Sequence, residues 1–219
     1  MLEKVFTDLY NSNVWENVDG TQTRSGLGST LEYSKCIRDI LTSMLTAYPI
    51  KSIVDASCGD WNWMSTIQYR IKCNYVGIDV VSEIIDRNTK LFSNDRFKFI
   101  KTDALSYLQS LPNKSVDLLI FRNTAEYLDE TYNLEFIREA HRVCKYLLMT
   151  SIDTCNENKD IESIGTYRPI NLNLPPYSDM LNTSMVESKH DGPLKFFSDE
   201  IRIILYRFDE KLYFHTENI

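Results

Sequence analysis

The chain has 219 residues, 43% hydrophobic and 25% charged, with a formal net charge of −7. That is material for one α/β domain with a real core, and it excludes wholesale disorder. No run approaches the roughly 18 apolar residues of a membrane span, and the first residues lack a secretory apolar stretch, so a soluble cytoplasmic protein with no membrane partner is expected. The acidic balance argues against a nucleic-acid partner, because phosphate-backbone binding rests on clustered Lys and Arg. Five scattered cysteines (Cys36, Cys58, Cys73, Cys144, Cys155) include no C-x-x-C pair, and His141, His190 and His215 lie far apart. No metal site is expected, and the thiols read as small packed groups.

Residues 11–30 are polar and read as loop. Between 31 and 47, Leu31, Ile37, Ile40, Leu41, Met44 and Leu45 fall at helical spacing. Short β-rich runs then alternate with helical stretches. Strands are predicted at 52–57, 74–79, 97–101, 116–121 and 146–151, with helices at 62–70, 82–92, 104–110 and 134–143. Strict alternation with short connections is the signature of a parallel sheet covered on both faces, and the continuous apolar runs IVDA and DLLIF suit buried parallel strands. The fold class is therefore α/β with a Rossmann-like sheet, mostly parallel.

The alternation stops after Ser151. Residues 152–190 have no sustained period, and a stretch of that length is usually functional or disordered. Its apolar residues and tyrosines predict an ordered flap. Beyond it, 194–197, 201–206 and 211–215 read as β segments that close the sheet with antiparallel strands.

Ligands of open α/β sheets bind beyond the carboxyl ends of the strands, at the topological switch point. Three successive predicted strands carry an acid there: Asp55 in the first, before the small-residue turn Ala56-Ser57-Cys58-Gly59; Asp79 at the tip of the second; Asp103 after the third. The fourth ends in Phe121-Arg122-Asn123. A small-residue turn lets a ligand approach backbone, and an acid about twenty residues later is placed to bind a ribose diol. Each acid has a plainer reading as well: Asp55 as a turn former, Asp103 as a helix N-cap, Asp79 as a helix start.

This pattern resembles the class I S-adenosylmethionine (SAM)-dependent methyltransferases across residues 50–151. Asp55-Ala56-Ser57-Cys58-Gly59-Asp60-Trp61-Asn62-Trp63-Met64 is similar to a subgroup that writes its glycine motif as D-A-P-C-G-D-x-N-W-M, and SGLGST at 25–30 and YRPINLNLPPY at 167–177 are similar to the same subgroup. Of the three glycines usual in that motif only Gly59 remains; Ser57 and Trp61 replace the outer two. The G-x-G-x-x-G fingerprint of nicotinamide dehydrogenases is absent.

The resemblance implies SAM as cofactor and a role for each matching position. Asp55, Ser57, Cys58 and Gly59 border the methionine part, with Ser25, Gly28 and Ser29 closing over its carboxylate. Asp79 holds the ribose diol, and Ile78 or Val80 touches the adenine. Asp103 accepts from the adenine amino group beside Ala104. Arg122 and Asn123 line the floor near the transferable methyl. One domain over 1–219 is expected: 1–48 cover the cofactor site, 49–151 bind SAM, and 152–219 supply the flap and closing strands.

Candidates for acceptor chemistry are Asn123, His190 near the flap as a base, and Arg168, whose planar fork suits an anion. Arg168 can equally be structural. Trp61 is expected to wall the pocket more often than Trp63, and Glu126 and Tyr127 either reach the acceptor or simply start a helix. The expected function is methyl transfer to a small molecule such as a sugar or phosphorylated metabolite. The alternatives are a protein or nucleic-acid methyltransferase of the same fold, and a catalytically idle nucleotide-binding module.

Overall fold

The computed structural model describes residues 1–12, 15, 23–181, 185–190 and 201–208, with backbone only for 185–190 and 201. In chain order the elements are α1 (Leu2–Asn11), α2 (Lys35–Ala47), β1 (Ser52–Ala56), α3 (Asn62–Ser65), β2 (Asn74–Asp79), α4 (Ser82–Phe92), β3 (Phe97–Lys101), α5 (Ala104–Ser110), β4 (Val116–Phe121), α6 (Glu130–Val143), β5 (Cys144–Ile152), α7 (Ser178–Leu181), β6 (Met185–His190) and β7 (Ile201–Arg207). The strands form one sheet in the order β3-β2-β1-β4-β5-β7-β6. The first five run parallel, and β7 enters antiparallel against β5 with Ile204 opposite Met149. The chain reverses direction across the sheet between β1 and β4, which opens a crevice there.

Central strands bury both faces, as parallel strands between two helix layers must. Along β4, Leu119 and Phe121 join a core with Phe136, Ile137 and Ala140 of α6, while Leu118 and Ile120 join a second core with Ile37, Leu41 and Met44 of α2. Two helices carry side-chain N-caps at the positions that start them: Asp103 accepts from the Ser106 N–H at 2.8 Å, and Asp129 from the Tyr132 N–H at 2.7 Å.

The differences from the sequence expectations are local. The helix expected at 62–70 stops at Ser65 and resumes as a 3-10 turn over Gln68–Arg70. Helix α1 and strand β6 had not been foreseen; β6 occupies the end of the stretch read as periodless, and pairs antiparallel with β7. The expected strand at 201–206 is β7, whereas those at 194–197 and 211–215 lie outside the described residues. The segment from 153 to 177 is held in place by the sheet edge: Ile152 N–H donates to Ile170 O at 2.7 Å, and Leu172 N–H to Ser151 Oγ at 3.0 Å. Ile170, Leu172 and Tyr177 are buried in the α6 core. Among the described residues no helix is long and apolar enough to cross a membrane, and no group of His, Cys, Asp and Glu is arranged to hold a metal ion.

Candidate functional site

A cavity of about 450 Å³ opens at the carboxyl edge of the sheet, over the β1/β4 crevice. Its floor comes from the loops after β1, β2, β3 and β4, and its other walls from α1, residues 25–29 and Tyr167. The volume is that of an ordinary small-molecule site.

The loop after β1 takes a path that glycine would favour at three positions. Ser57 has φ 70°, Gly59 φ 55° and Trp61 φ 58°, all left-handed. Ser57 and Trp61 thus hold left-handed backbone with side chains in place, at a cost of roughly 1–2 kcal/mol for each. The Ser57 and Cys58 N–H groups both donate to Ile78 O, at 2.8 and 2.9 Å, which clamps the turn onto β2. A β-carbon on Gly59 would come within 2.5 Å of Ser25 Oγ, so the turn and residues 25–29 meet only because that position is bare. Ser25 Oγ itself accepts from the Asp60 N–H at 2.8 Å and pairs with Tyr10 Oη at 2.9 Å.

The three strand-end acids line the same cavity as this turn, each held differently. Asp55 accepts from Tyr75 Oη at 2.6 Å, and Tyr75 Oη accepts from Trp61 Nε1 at 2.8 Å. Burial pushes the Asp55 carboxyl up to about 7 against the pull of the Tyr75 bond and Arg122. Asp79 is buried at the tip of β2, with Oδ2 accepting from the Gly59 N–H at 3.2 Å and Oδ1 from the Val81 N–H at 3.0 Å. Burial raises it to about 6, opposed by its backbone N–H bonds. Each oxygen keeps a further lone pair. Asp103 caps α5 through Oδ1 and accepts from Tyr132 Oη at 2.8 Å through Oδ2.

Ser25, Gly28, Ser29, Asp55, Ser57, Cys58, Gly59, Ile78, Asp79, Val80, Asp103, Ala104, Arg122 and Asn123 all line this one cavity. Arg122 donates to Gly28 O at 2.9 Å and lies 5.7 Å from the Trp63 ring centre, so it links the β4 tip to the segment at 25–29. Asn123 has φ 54°, and its N–H and Oδ1 both bond Thr150 Oγ1, at 2.8 and 3.1 Å. A β-carbon on Gly28 would run into Asn123 Nδ2.

Other expected residues lie elsewhere. Trp61 has no exposed surface and packs among Tyr75, Phe92, Phe97 and Phe99, while Trp63 lines the cavity, the reverse of the expected preference. The left-handed turn at Trp61 is what drives its indole inward. Arg168 is buried outside the cavity lining; its guanidinium donates to Lys159 O and Leu128 O, both at 2.8 Å, and its N–H to Glu126 O at 2.9 Å. Those bonds hold the 153–177 segment to the loop after β4. His190 ends β6, paired with Arg202, and two strands separate it from β4; its side chain lies outside the described residues. His141 bonds Met180 O at 3.0 Å and stacks on Phe208, away from the cavity.

Several lining residues had no place in the sequence reading of the site. Leu2, Phe6 and Tyr10 of α1 line the cavity, and their i, i+4 spacing was a legible helical signal. Trp15 and Tyr132 had no comparable signal. Glu126, by contrast, reads in the sequence either as reaching the acceptor or as starting a helix; it sits in a single 3-10 turn over Ala125–Tyr127 and lines the cavity at 2% exposure, and its Oε2 has no hydrogen-bond partner.

Solved structures with the same fold include three methyltransferases. The 1,6-didemethyltoxoflavin-N1-methyltransferase of Burkholderia thailandensis, solved with 1,6-didemethyltoxoflavin and S-adenosylhomocysteine, aligns at a TM-score of 0.66 with 13% identity, over 94% of this chain and 86% of its own. The N-methyltransferase NodS of Bradyrhizobium japonicum WM9, in complex with S-adenosylhomocysteine, aligns at 0.60 with 13% identity, over 93% and 97%. The magnesium protoporphyrin IX methyltransferase ChlM of Synechocystis PCC 6803, with S-adenosylhomocysteine bound, aligns at 0.59 with 12% identity, over 95% and 96%. At such identities the likeness establishes the fold. No curated protein matches the chain. Residues 53–146, from β1 into β5, match a family model described as a methyltransferase domain.

Proposed function

We propose that this protein is a SAM-dependent methyltransferase acting on a small molecule. The observation that carries the reading is the cavity at the β1/β4 crevice, lined by acids from three successive strands and by a left-handed turn that leaves Gly59 bare. The match of residues 53–146 to a methyltransferase domain supports it, as do structural neighbours solved with S-adenosylhomocysteine.

The residues present fit the cofactor. Asp79, with lone pairs left on both oxygens, would take the ribose diol, and Asp103 with Ala104 would flank the adenine. Asp55, Ser25 and the bare backbone at Gly59 would take the methionine part. When bound, SAM supplies an electrophilic methyl group on a sulfonium. The chain's own contribution is alignment and exclusion of water, and good alignment can be worth about 7–11 kcal/mol. Arg122 and Asn123, fixed by Gly28 and Thr150, would line the floor near the transferable methyl.

Cover from α1 and residues 25–29 supports a small acceptor over a polymer. The test is calorimetry with S-adenosylhomocysteine and NAD, followed by methyl transfer into cell extract split into small molecules, protein and nucleic acid. Tight binding of the former and label in the small-molecule fraction are expected. Comparable NAD binding would sink the reading; label in protein or nucleic acid would move the acceptor class. Binding without turnover on any fraction would favour an idle module.

A further inference from the structure

Of the acids that line the cavity, three have partners within the protein. Asp55 is bonded by Tyr75, Asp79 by two backbone N–H groups, and Asp103 by Ser106 and Tyr132. The fourth is Glu126, with its buried Oε2 unpartnered. A buried carboxylate oxygen without a donor is costly, and such a group calls for an explanation.

Arg122 and Arg168 are the cations whose charge acts on Glu126, and both are bonded to backbone carbonyls. Beside Glu126, the rings of Trp15, Tyr127 and Tyr167 run along the cavity wall, with centroids 5.5 and 5.6 Å apart in succession. The wall thus offers a carboxyl with one unpartnered oxygen next to a row of aromatic rings, the pairing that recognises an organic cation.

Resting on the methyltransferase reading, we propose that Glu126 receives the methyl acceptor, and that this acceptor is an amine on an aromatic or apolar skeleton whose proton Glu126 takes. The acceptor binds as its ammonium and gives one proton to the Glu126 carboxylate, which frees the nitrogen lone pair. That pair forms the new N–C bond to the methyl carbon as the C–S bond breaks, its electrons remaining on sulfur. The product leaves as a methylated ammonium, and Glu126 returns its proton to water. Burial pushes the Glu126 carboxyl up to about 7, with its own backbone N–H and then Arg122 and Arg168 pulling it back, which suits a base working near neutrality. The inventory of charge argues against a phosphorylated acceptor: among the described residues the lining holds four acids and one cation, Arg122.

The test uses the whole chain saturated with S-adenosylhomocysteine, titrated calorimetrically with tryptamine and tyramine and with their acidic counterparts, indoleacetate and hydroxyphenylacetate. The amines should bind at least about tenfold more tightly than the acids to the wild type. In Glu126→Gln the preference should fall below about twofold, while S-adenosylhomocysteine affinity stays within about threefold of wild type. Equal or tighter binding of the acids, binding of neither set, or an intact preference in Glu126→Gln would overturn the proposal. The wild-type comparison decides by itself should the variant not fold. Absence of S-adenosylhomocysteine binding would strike the methyltransferase reading first; its binding without an amine preference would strike only the role of Glu126.

Discussion

Replacing Glu126 by Gln keeps nearly the same shape and removes one titrating group from the cavity wall. The wild-type carboxyl is buried and raised from an ordinary 4.5 to about 7, first by loss of water, with its own backbone N–H and then Arg122 and Arg168 opposing the rise. Tyr127, next to it, has its own hydroxyl raised and stays neutral across this range. Between pH 4.5 and about 7 the unfolded chain has released the Glu126 proton while the folded chain still holds it. Folding then binds a proton, so wild-type stability falls as pH rises through this window and is level above it. A rise from 4.5 to about 7 corresponds to about 3 kcal/mol at about 1.4 kcal/mol per pH unit. The variant has no such group. Glu126→Gln should therefore gain stability relative to wild type by about 3 kcal/mol between pH ~4.5 and pH ~7.5, whatever constant offset its amide introduces. Urea denaturation of both ligand-free proteins at stepped pH measures that difference, and the raised Asp55 and Asp79 carboxyls, present in both, cancel from it. A difference that stays flat with pH would refute the claim that burial governs this carboxyl.

Other perturbations test the rest of the site. Asp79→Asn keeps one acceptor for the Val81 or Gly59 N–H but turns a donor toward the other; S-adenosylhomocysteine affinity should fall at least about tenfold by calorimetry, with the fold retained in circular dichroism. Ser57→Gly relieves the left-handed backbone and should raise stability by about 0.5–1 kcal/mol in urea melts; a loss of stability would contradict the strain argument. Arg168→Ala removes the guanidinium bonds to Lys159 O and Leu128 O and should cost about 2–4 kcal/mol in thermal or urea melts, with S-adenosylhomocysteine affinity within about threefold; a fully stable variant would refute the structural role. Arg168→Lys should recover only part of that stability, since an ammonium cannot span both carbonyls as the planar fork does.

Much of this protein is legible in its sequence, because local chemistry sets it. The continuous apolar runs of β1 and β4, the helical spacing in α2 and α4, and Asp103 as an N-cap all follow from residue types within a few positions of one another. The same holds for the gathering of Asp55, Asp79 and Asp103 at one edge: parallel strands of an alternating chain must end on the same side. What required the tertiary structure is whatever depends on partners distant in sequence. Trp61 and Trp63 are two positions apart, yet the left-handed backbone at Trp61 sends its indole into a cluster with Phe92 and Phe97 and leaves Trp63 at the cavity. Arg168 reads equally as an anion fork or a structural residue until the carbonyls of Leu128 and Lys159 are seen to occupy it. Glu126 reads equally as an acceptor contact or a helix start, and only the packing of the loop after β4 against the 153–177 segment buries its carboxyl and leaves Oε2 without a partner. Pattern reports which residues share a face; solvation and hydrogen-bond pairing are properties of the folded chain, and they decide which of those residues are left with chemistry to do.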